Sequence, residues 1–269
     1  MSRDNRTSLA IKLDAFRRVL LWNFFSDRTP HYLVSEYPKS GGSWVAQMIA
    51  EYLGIPFPRN RSVKLRQPTS LLHGHFLYSR RFHNAVYVLR DGRDVMTSAY
   101  FHMLTHNDRN PAPMVDRHRS KLRFDDYDDV VGNLPRFIEY LFVERAKGWF
   151  HFNWTDFVNS LDNDRAIVVK YEDLLDDTTS AMEQVLARLL GTQVDREKLN
   201  RIVDRFSFST QTNRKPGEED RSSFLRKGTA GDWREKFSPE ARQVFNRYAG
   251  KALIDTGYEP DSTWVTRPQ

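Results

Sequence analysis

Three short strings hold the side chains best suited to gripping an anion in this chain of 269 residues. The first is Tyr37-Pro-Lys-Ser-Gly-Gly-Ser-Trp44. Gly41 and Gly42 let the backbone turn sharply and aim several amides inward, while Ser40 and Ser43 add hydroxyl donors. Lys39 places an ammonium at the rim, and the helix that follows presents its positive end to the same spot. This is not a Walker A loop, G-x-x-x-x-G-K-[ST], because here the lysine precedes the glycines. No G-x-G-x-x-G occurs in the turn either, which disfavours a dinucleotide site. The second string, Arg90-Asp-Gly-Arg-Asp-Val-Met-Thr-Ser98, starts with a guanidinium and carries a hydroxyl about two helical turns further on. Asp94 within it reads as a helix cap. The third, Phe224-Leu-Arg-Lys-Gly-Thr-Ala-Gly-Asp-Trp233, sets Arg226 and Lys227 against Gly228 and Gly231. A ligand with two well-separated phosphoryl groups is the simplest single explanation of all three.

These strings need elements to hold them together. His31–Tyr37, Ala85–Leu89 and Ala166–Lys170 read as short apolar strands, each leading through a polar turn into a helical pattern. The helices are predicted over Trp44–Leu53, Val95–Met103 and from Thr178 to Leu190, with Gly54 and Gly191 at left-handed C-caps. Ser180 and Glu183 read as a capping box. Apolar β-branched runs alternating with helices predict an α/β fold with a parallel sheet covered on both faces. Ligands of such sheets bind at the carboxyl ends of the strands, where all three turns fall. A single domain over 1–269 is expected, since no repeat, linker or low-complexity tract divides the chain. His102–Pro135 is polar and proline-punctuated, a long loop with short helices that is either a lid or a solvated excursion. Thr210–Ser223 has a similar character.

Composition narrows the class. With 41 Lys+Arg against 35 Asp+Glu the net charge is only +6, and the charges are mixed along the chain, so a small anion explains the excess as well as a polyanion; no nucleic-acid partner is expected. There are no cysteines, hence no disulfides, thiolate zinc sites or cysteine nucleophiles. No apolar run reaches membrane-spanning length, and no signal peptide is evident. Residues 1–30 read as a helical extension in which 9–25 is amphipathic, with Ile11, Leu13, Phe16, Leu20 and Phe24 on one face. It docks on the domain or makes peripheral membrane contact.

The strings YPKSGGSW, LRDGRDVMTSAYF, KYEDLLDDT and FLRKGTAGDW resemble, in that order, the motifs of sulfotransferases that use 3′-phosphoadenosine 5′-phosphosulfate (PAPS), above all the cytosolic branch and its bacterial relatives. The resemblance implies a P-loop-like central sheet and a cytoplasmic enzyme with PAPS as donor and its 3′,5′-bisphosphate, PAP, as product. It implies that Lys39, Ser40, Gly41, Gly42 and Ser43 cradle the 5′-phosphosulfate. Arg90 and Ser98 match binders of the 3′-phosphate, with Arg226, Lys227 and Gly228 closing over it. Trp44, Tyr171 and Phe208 fall where the family holds adenine. The family's basic histidine aligns with His75 in Leu71-Leu-His-Gly-His-Phe-Leu77, while His73 stands where the family has lysine; His83 and His102 are the fallback bases. Sulfuryl transfer is then an in-line displacement with Lys39 stabilising the leaving phosphate. No metal is expected, because the two histidines have no carboxylate cluster beside them in the sequence.

The acceptor, a small-molecule, sugar or lipid hydroxyl (or an amine), is not readable from the chain. The family's dimer segment is not retained at Arg234, Ser238, Pro239 and Gln243, which leaves the oligomeric state open. Two other readings compete: a P-loop-like kinase or nucleotide hydrolase, and a basic heparin- or membrane-binding module without catalysis.

Overall fold

The structure is a computed structural model that describes residues 13, 16, 20, 30–58, 69–106, 112–145 and 152–267. Its centre is a parallel sheet of β1 (Tyr32–Glu36), β2 (Leu71–Gly74), β3 (Ala85–Leu89) and β4 (Ile167–Lys170), in the order β2-β1-β3-β4. The alternation of side chains along each strand divides the apolar residues between two cores. Leu33, Tyr87 and Leu89 face one of them, and Val34, Val86 and Val88 face the other. Every residue of β3 is buried, as a central parallel strand requires.

One core is closed by α1 (Gly42–Leu53), which follows β1 and ends at Gly54 with φ 64°. The opposite face receives α2 (Gly92–Leu104), α3 (Ala112–Lys121) and α4 (Val130–Glu139), the last running into a π-helical turn, Tyr140–Arg145. After α5 (Trp154–Ser160) and β4 come α6 (Tyr171–Asp176), α7 (Thr178–Leu190) and α8 (Arg196–Phe206). The chain closes through α9 (Phe208–Thr212), α10 (Trp233–Lys236), α11 (Pro239–Asp255) and a 3-10 turn, Ser262–Val265. The α/β class, the parallel sheet and the helices on both faces are as the sequence led us to expect.

Among its described residues the stretch 102–135 carries short helices, as expected, with the polar faces of α3 and α4 solvated while Val115, Val130 and Leu134 are buried. Several local expectations are corrected. The turn after β4 is itself the helix α6. The cap of α7 is Asp177, whose side chain accepts the Ser180 amide at 3.0 Å, while Glu183 pairs with Arg196 at 2.8 Å. Asp91 caps α2, accepting the Arg93 amide at 2.9 Å, which releases Asp94 for other work. Leu13, Phe16 and Leu20 are helical, with Leu13 and Phe16 exposed; the remainder of the amphipathic segment 9–25 lies outside the described residues. Among the described residues no helix is long and apolar enough to cross a membrane.

A buried arginine ties the first turn of α2 to the C-terminal segment. Arg93 pairs with Asp91 at 2.7 Å and with Glu259 at 2.5 Å, and its guanidinium lies 3.7 Å from the ring centre of Trp233. A charge this deep is tolerated because carboxylates satisfy its donors and an aromatic face covers it. Gly92, beside it, leaves no room for a side chain: a Cβ there would come within 2.7 Å of Phe245 and 2.8 Å of Trp154. Gly92→Ala is therefore expected to destabilise the fold by about 1–3 kcal/mol through overpacking, read as a lower urea midpoint with an unchanged slope.

Candidate active site

The carboxyl ends of β1, β3 and β4 open onto one cleft, walled by Lys39, Arg90, Tyr171 and Arg226 among others. The turn after β1 carries strain on its way in. Lys39 has φ 79° and Gly41 φ 98°, and only the second is cheap. Held left-handed, Lys39 lays its ammonium 3.9 Å from the centre of the Phe224 ring at the cleft wall. Gly41 also admits a close neighbour, since a Cβ there would meet the Tyr171 ring at 2.6 Å.

Arg90, at the end of β3, joins the three strings. Its Nη1 donates to the Lys39 carbonyl at 3.2 Å and its Nη2 to the Thr229 carbonyl at 3.1 Å, while its guanidinium stacks 4.3 Å from the centre of Tyr171. Two buried polar atoms here have no hydrogen-bond partner, Ser40 Oγ and Arg90 Nε. A hydroxyl and a guanidinium N–H left over at a phosphate-type turn fit an oxyanion ligand.

The other cations are held by acids. Asp232 accepts Lys227 Nζ at 2.6 Å and Arg226 Nη2 at 2.5 Å, and Arg226 also donates to Glu219. Burial alone would raise the Asp232 carboxyl, but the Arg226 charge and the hydrogen bonds from Lys227 and Arg226 overcome it and leave it below the ordinary aspartate value. Asp94 accepts the amides of Gly231 and Trp233 at 2.6 and 3.0 Å, pinning this closing segment onto α2. Burial raises Asp94, partly offset by Arg90 and these two amides. Gly228, at φ 67°, lies against Phe208, whose ring a Cβ would meet at 2.5 Å.

The cleft thus brings together Lys39, Gly41, Ser43, Trp44, Arg90, Ser98, Tyr171, Phe208, Arg226, Lys227 and Gly228 from strings far apart in sequence. Trp44 is fixed by donating its indole N–H to the Phe206 carbonyl at 2.8 Å and meets Tyr171 edge to face at 6.1 Å. Three expected residues do not line it. Ser40 is buried beneath, the Gly42 amide points at Glu36 Oε2 at 2.6 Å, and His75 sits behind Glu36. Of the fallback histidines, His83 is exposed, whereas His102 lies against Phe224 with ring centres 5.7 Å apart, close to Lys39 and Arg226.

Glu36 is the residue that sequence reasoning missed. The expectation was that no carboxylate cluster stands beside the two histidines in the sequence; the fold brings one carboxylate to them from β1, Glu36 Oε1 at 3.0 Å from His73 Nε2. Burial would raise this carboxyl, yet the hydrogen bond and charge of His73, the charge of His75 and the Gly42 amide together hold it below the usual range. The Glu36 main-chain oxygen faces His75 Nδ1 at 3.0 Å. A carbonyl only accepts, so Nδ1 donates and the lone pair of a neutral His75 is on Nε2.

A family model described as a sulfotransferase domain matches residues 76–257. The chain belongs to the sulfotransferase family. The kinship suggested by the four strings is therefore the right one, although the family match begins just after His75, beyond the Lys39 turn. Similar full-length relatives cover that turn too. Sulfotransferase 1 family member D1 of Mus musculus is 24% identical over 91% of this chain and 96% of its own length. Sulfotransferase 1C2 of Homo sapiens is 23% identical over 86% of each. Among solved structures, mouse sulfotransferase SULT7A1 complexed with PAP superposes with a TM-score of 0.60 at 17% identity, covering 92% of both chains. Retinol dehydratase in complex with retinol and PAP gives 0.60 at 17% identity, over 88% of this chain and 84% of its own. Both likenesses are of fold.

The Asp232 clamp yields a pH signature in this sulfotransferase. A carboxyl held below its unfolded value stabilises the fold above that value, and the contribution fades as pH falls through and below the ordinary aspartate range. Asp232→Asn is expected to cost up to about 3 kcal/mol near neutrality by stranding Arg226 and Lys227. In denaturant titrations the gap between wild type and variant should shrink on acidification.

Proposed function

We propose that the chain moves the sulfuryl group of PAPS onto a hydroxyl (or amine) of a small-molecule acceptor. The observation that carries this reading is Arg90, which hydrogen-bonds both the Lys39 turn and the 226–229 segment. Two cation-rich strings 190 residues apart are thereby held across a single cleft with three aromatic rings between them, as a nucleotide phosphorylated at both ends requires. The PAP held by SULT7A1 and retinol dehydratase supports the same donor. Kinship with the cytosolic branch supports a cytoplasmic location.

In this reading Lys39, Ser40, Gly41 and Ser43 bind the 5′-phosphosulfate, with Gly42 shaping the turn while its amide stays on Glu36, and Arg90, Ser98, Arg226, Lys227 and Gly228 bind the 3′-phosphate. Trp44, Tyr171 and Phe208 take the adenine. His75 Nε2 accepts the proton of the acceptor O–H as that oxygen attacks sulfur. The bond from sulfur to the 5′-phosphate oxygen breaks, and Lys39 stabilises the charge that grows on the departing PAP. Alignment and fixed charge supply most of the acceleration.

A small organic acceptor is supported by the neighbours that hold retinol and androsterone. A gating role for the segments 102–135 and 210–223 is supported by Arg221 of one pairing with Asp128 of the other at 3.1 Å, with Phe224 next in sequence packing on Lys39 and His102. The single-domain organisation over 1–269, with residues 1–30 as an extension, belongs to the same proposal.

Thermal unfolding with nucleotides tests the reading. PAP at about 100 times its Kd should add roughly 2.7 kcal/mol without magnesium, and a response only to ATP with magnesium would favour a kinase. Ser98→Ala, which removes a hydroxyl from the cleft without touching the Arg90 bridge, should weaken PAP binding. His75→Ala should leave PAP affinity within a few-fold and lower turnover by about 10²–10⁴-fold. Near-normal turnover would move the base elsewhere.

A further inference from the structure

Glu36, His73 and His75 form a cluster that sulfuryl transfer uses only in part. One donor atom from each lies within 4.8 Å of the other two. The sheet register explains why. Val34 stands opposite His73 and Ser35 opposite Gly74 on parallel strands, and side chains two apart on a strand share a face. Val34 and Glu36 therefore share the face of His73 and His75, so carboxylate and imidazoles meet at the carboxyl edge of the sheet.

Two of the three groups are also oriented from behind. Glu36 Oε2 accepts the Gly42 amide at 2.6 Å, which turns Oε1 toward His73 Nε2 at 3.0 Å. His75 gives its Nδ1 proton to a backbone carbonyl at 3.0 Å. Metal-binding histidines are held in this way, with one ring nitrogen donating to a carbonyl or carboxylate and the other left as the ligand. Glu36 is 5% exposed and the His73 side chain 14%, so water competes weakly for the cluster.

We propose that Glu36, His73 and His75 bind one Zn²⁺, which takes the place of the proton between His73 and Glu36 and keeps a fourth position for water. Two imidazoles and one carboxylate suit zinc, whereas magnesium and calcium want a shell of oxygens. Donors at zinc's bonding distances in a tetrahedron stand about 3.3 Å apart. The Glu36–His73 pair is already near that spacing, and a donor of His75 lies within 4.8 Å of both. The nitrogen that zinc takes from His75 is the one the proposed base needs. On that reading, which this consequence rests on, bound zinc is a reversible brake on turnover.

The test is calorimetric titration of the metal-free full chain with ZnCl₂, without donor or acceptor present. One zinc per chain is expected, with no response to MgCl₂. His73→Ala and Glu36→Gln should each weaken binding by at least about the 10–100-fold seen on losing a supporting shell. Circular dichroism and thermal unfolding establish that both variants fold, and Gln retains an acceptor for the Gly42 amide. Absence of one-to-one binding, or binding that survives in both folded variants, overturns the proposal. No turnover enters this readout, so its failure leaves the sulfuryl-transfer reading intact. Zinc bound with turnover unchanged would count against His75 as the base and leave the metal site standing.

Discussion

A guanidinium at the end of a fully buried strand cannot be left without partners, because stranding a charge in a low-dielectric interior costs several kcal/mol. Arg90 is that group, and its surroundings organise the whole carboxyl edge. It reaches backward to the carbonyl of Lys39 and forward to that of Thr229, with the Tyr171 ring beneath it. Its own carbonyl is fixed by the indole of Trp154 at 3.2 Å. The loop after β1, the start of α6 and the segment before α10 therefore share one anchor. None of these contacts is local in sequence, so the cleft forms only when the sheet does.

The acids around the cleft do complementary work. Asp232 holds Arg226 and Lys227 ahead of any ligand, and Asp94 holds the backbone that carries them. Flexible cations left loose would lose side-chain entropy on binding. Clamped by carboxylates, they are already ordered, at the expense of part of their charge. Such preorganisation favours alignment over raw attraction.

The parts legible in the sequence are those set by short-range rules. β3 is a run of apolar residues because both its faces are covered, and Gly54 and Gly191 stop helices because left-handed φ is cheap only without a Cβ. The strings of Lys39, Arg90 and Arg226 could be read since each carries its own donors. What could not be read depends on partners far along the chain. Asp94 looks like a cap until Gly231 and Trp233 fold onto it, and Arg93 gains its partners only when Glu259 and two tryptophans enclose it. In α7 a local competitor decided the matter, as Asp177 reached the free amide before Ser180 could serve as cap.

Glu36 shows the limit most sharply. A glutamate at the end of a strand, one residue before a glycine-rich turn, carries no mark of burial. Its meaning appears only with the register that places Gly74 beside Ser35. One carboxylate then serves the Gly42 amide with one oxygen and His73 with the other, while its main chain holds His75. The Lys39 turn and the histidine strand cannot shift independently, because each is bonded to the same residue. A shorter aspartate would have to give up either the turn or the histidine, and an apolar residue would strand the Gly42 amide in a pocket where a Cβ on Gly42 already has no space. The spacing between the Lys39 turn and His75 is thus set by one residue of β1, its side chain holding the turn and its main chain the histidine.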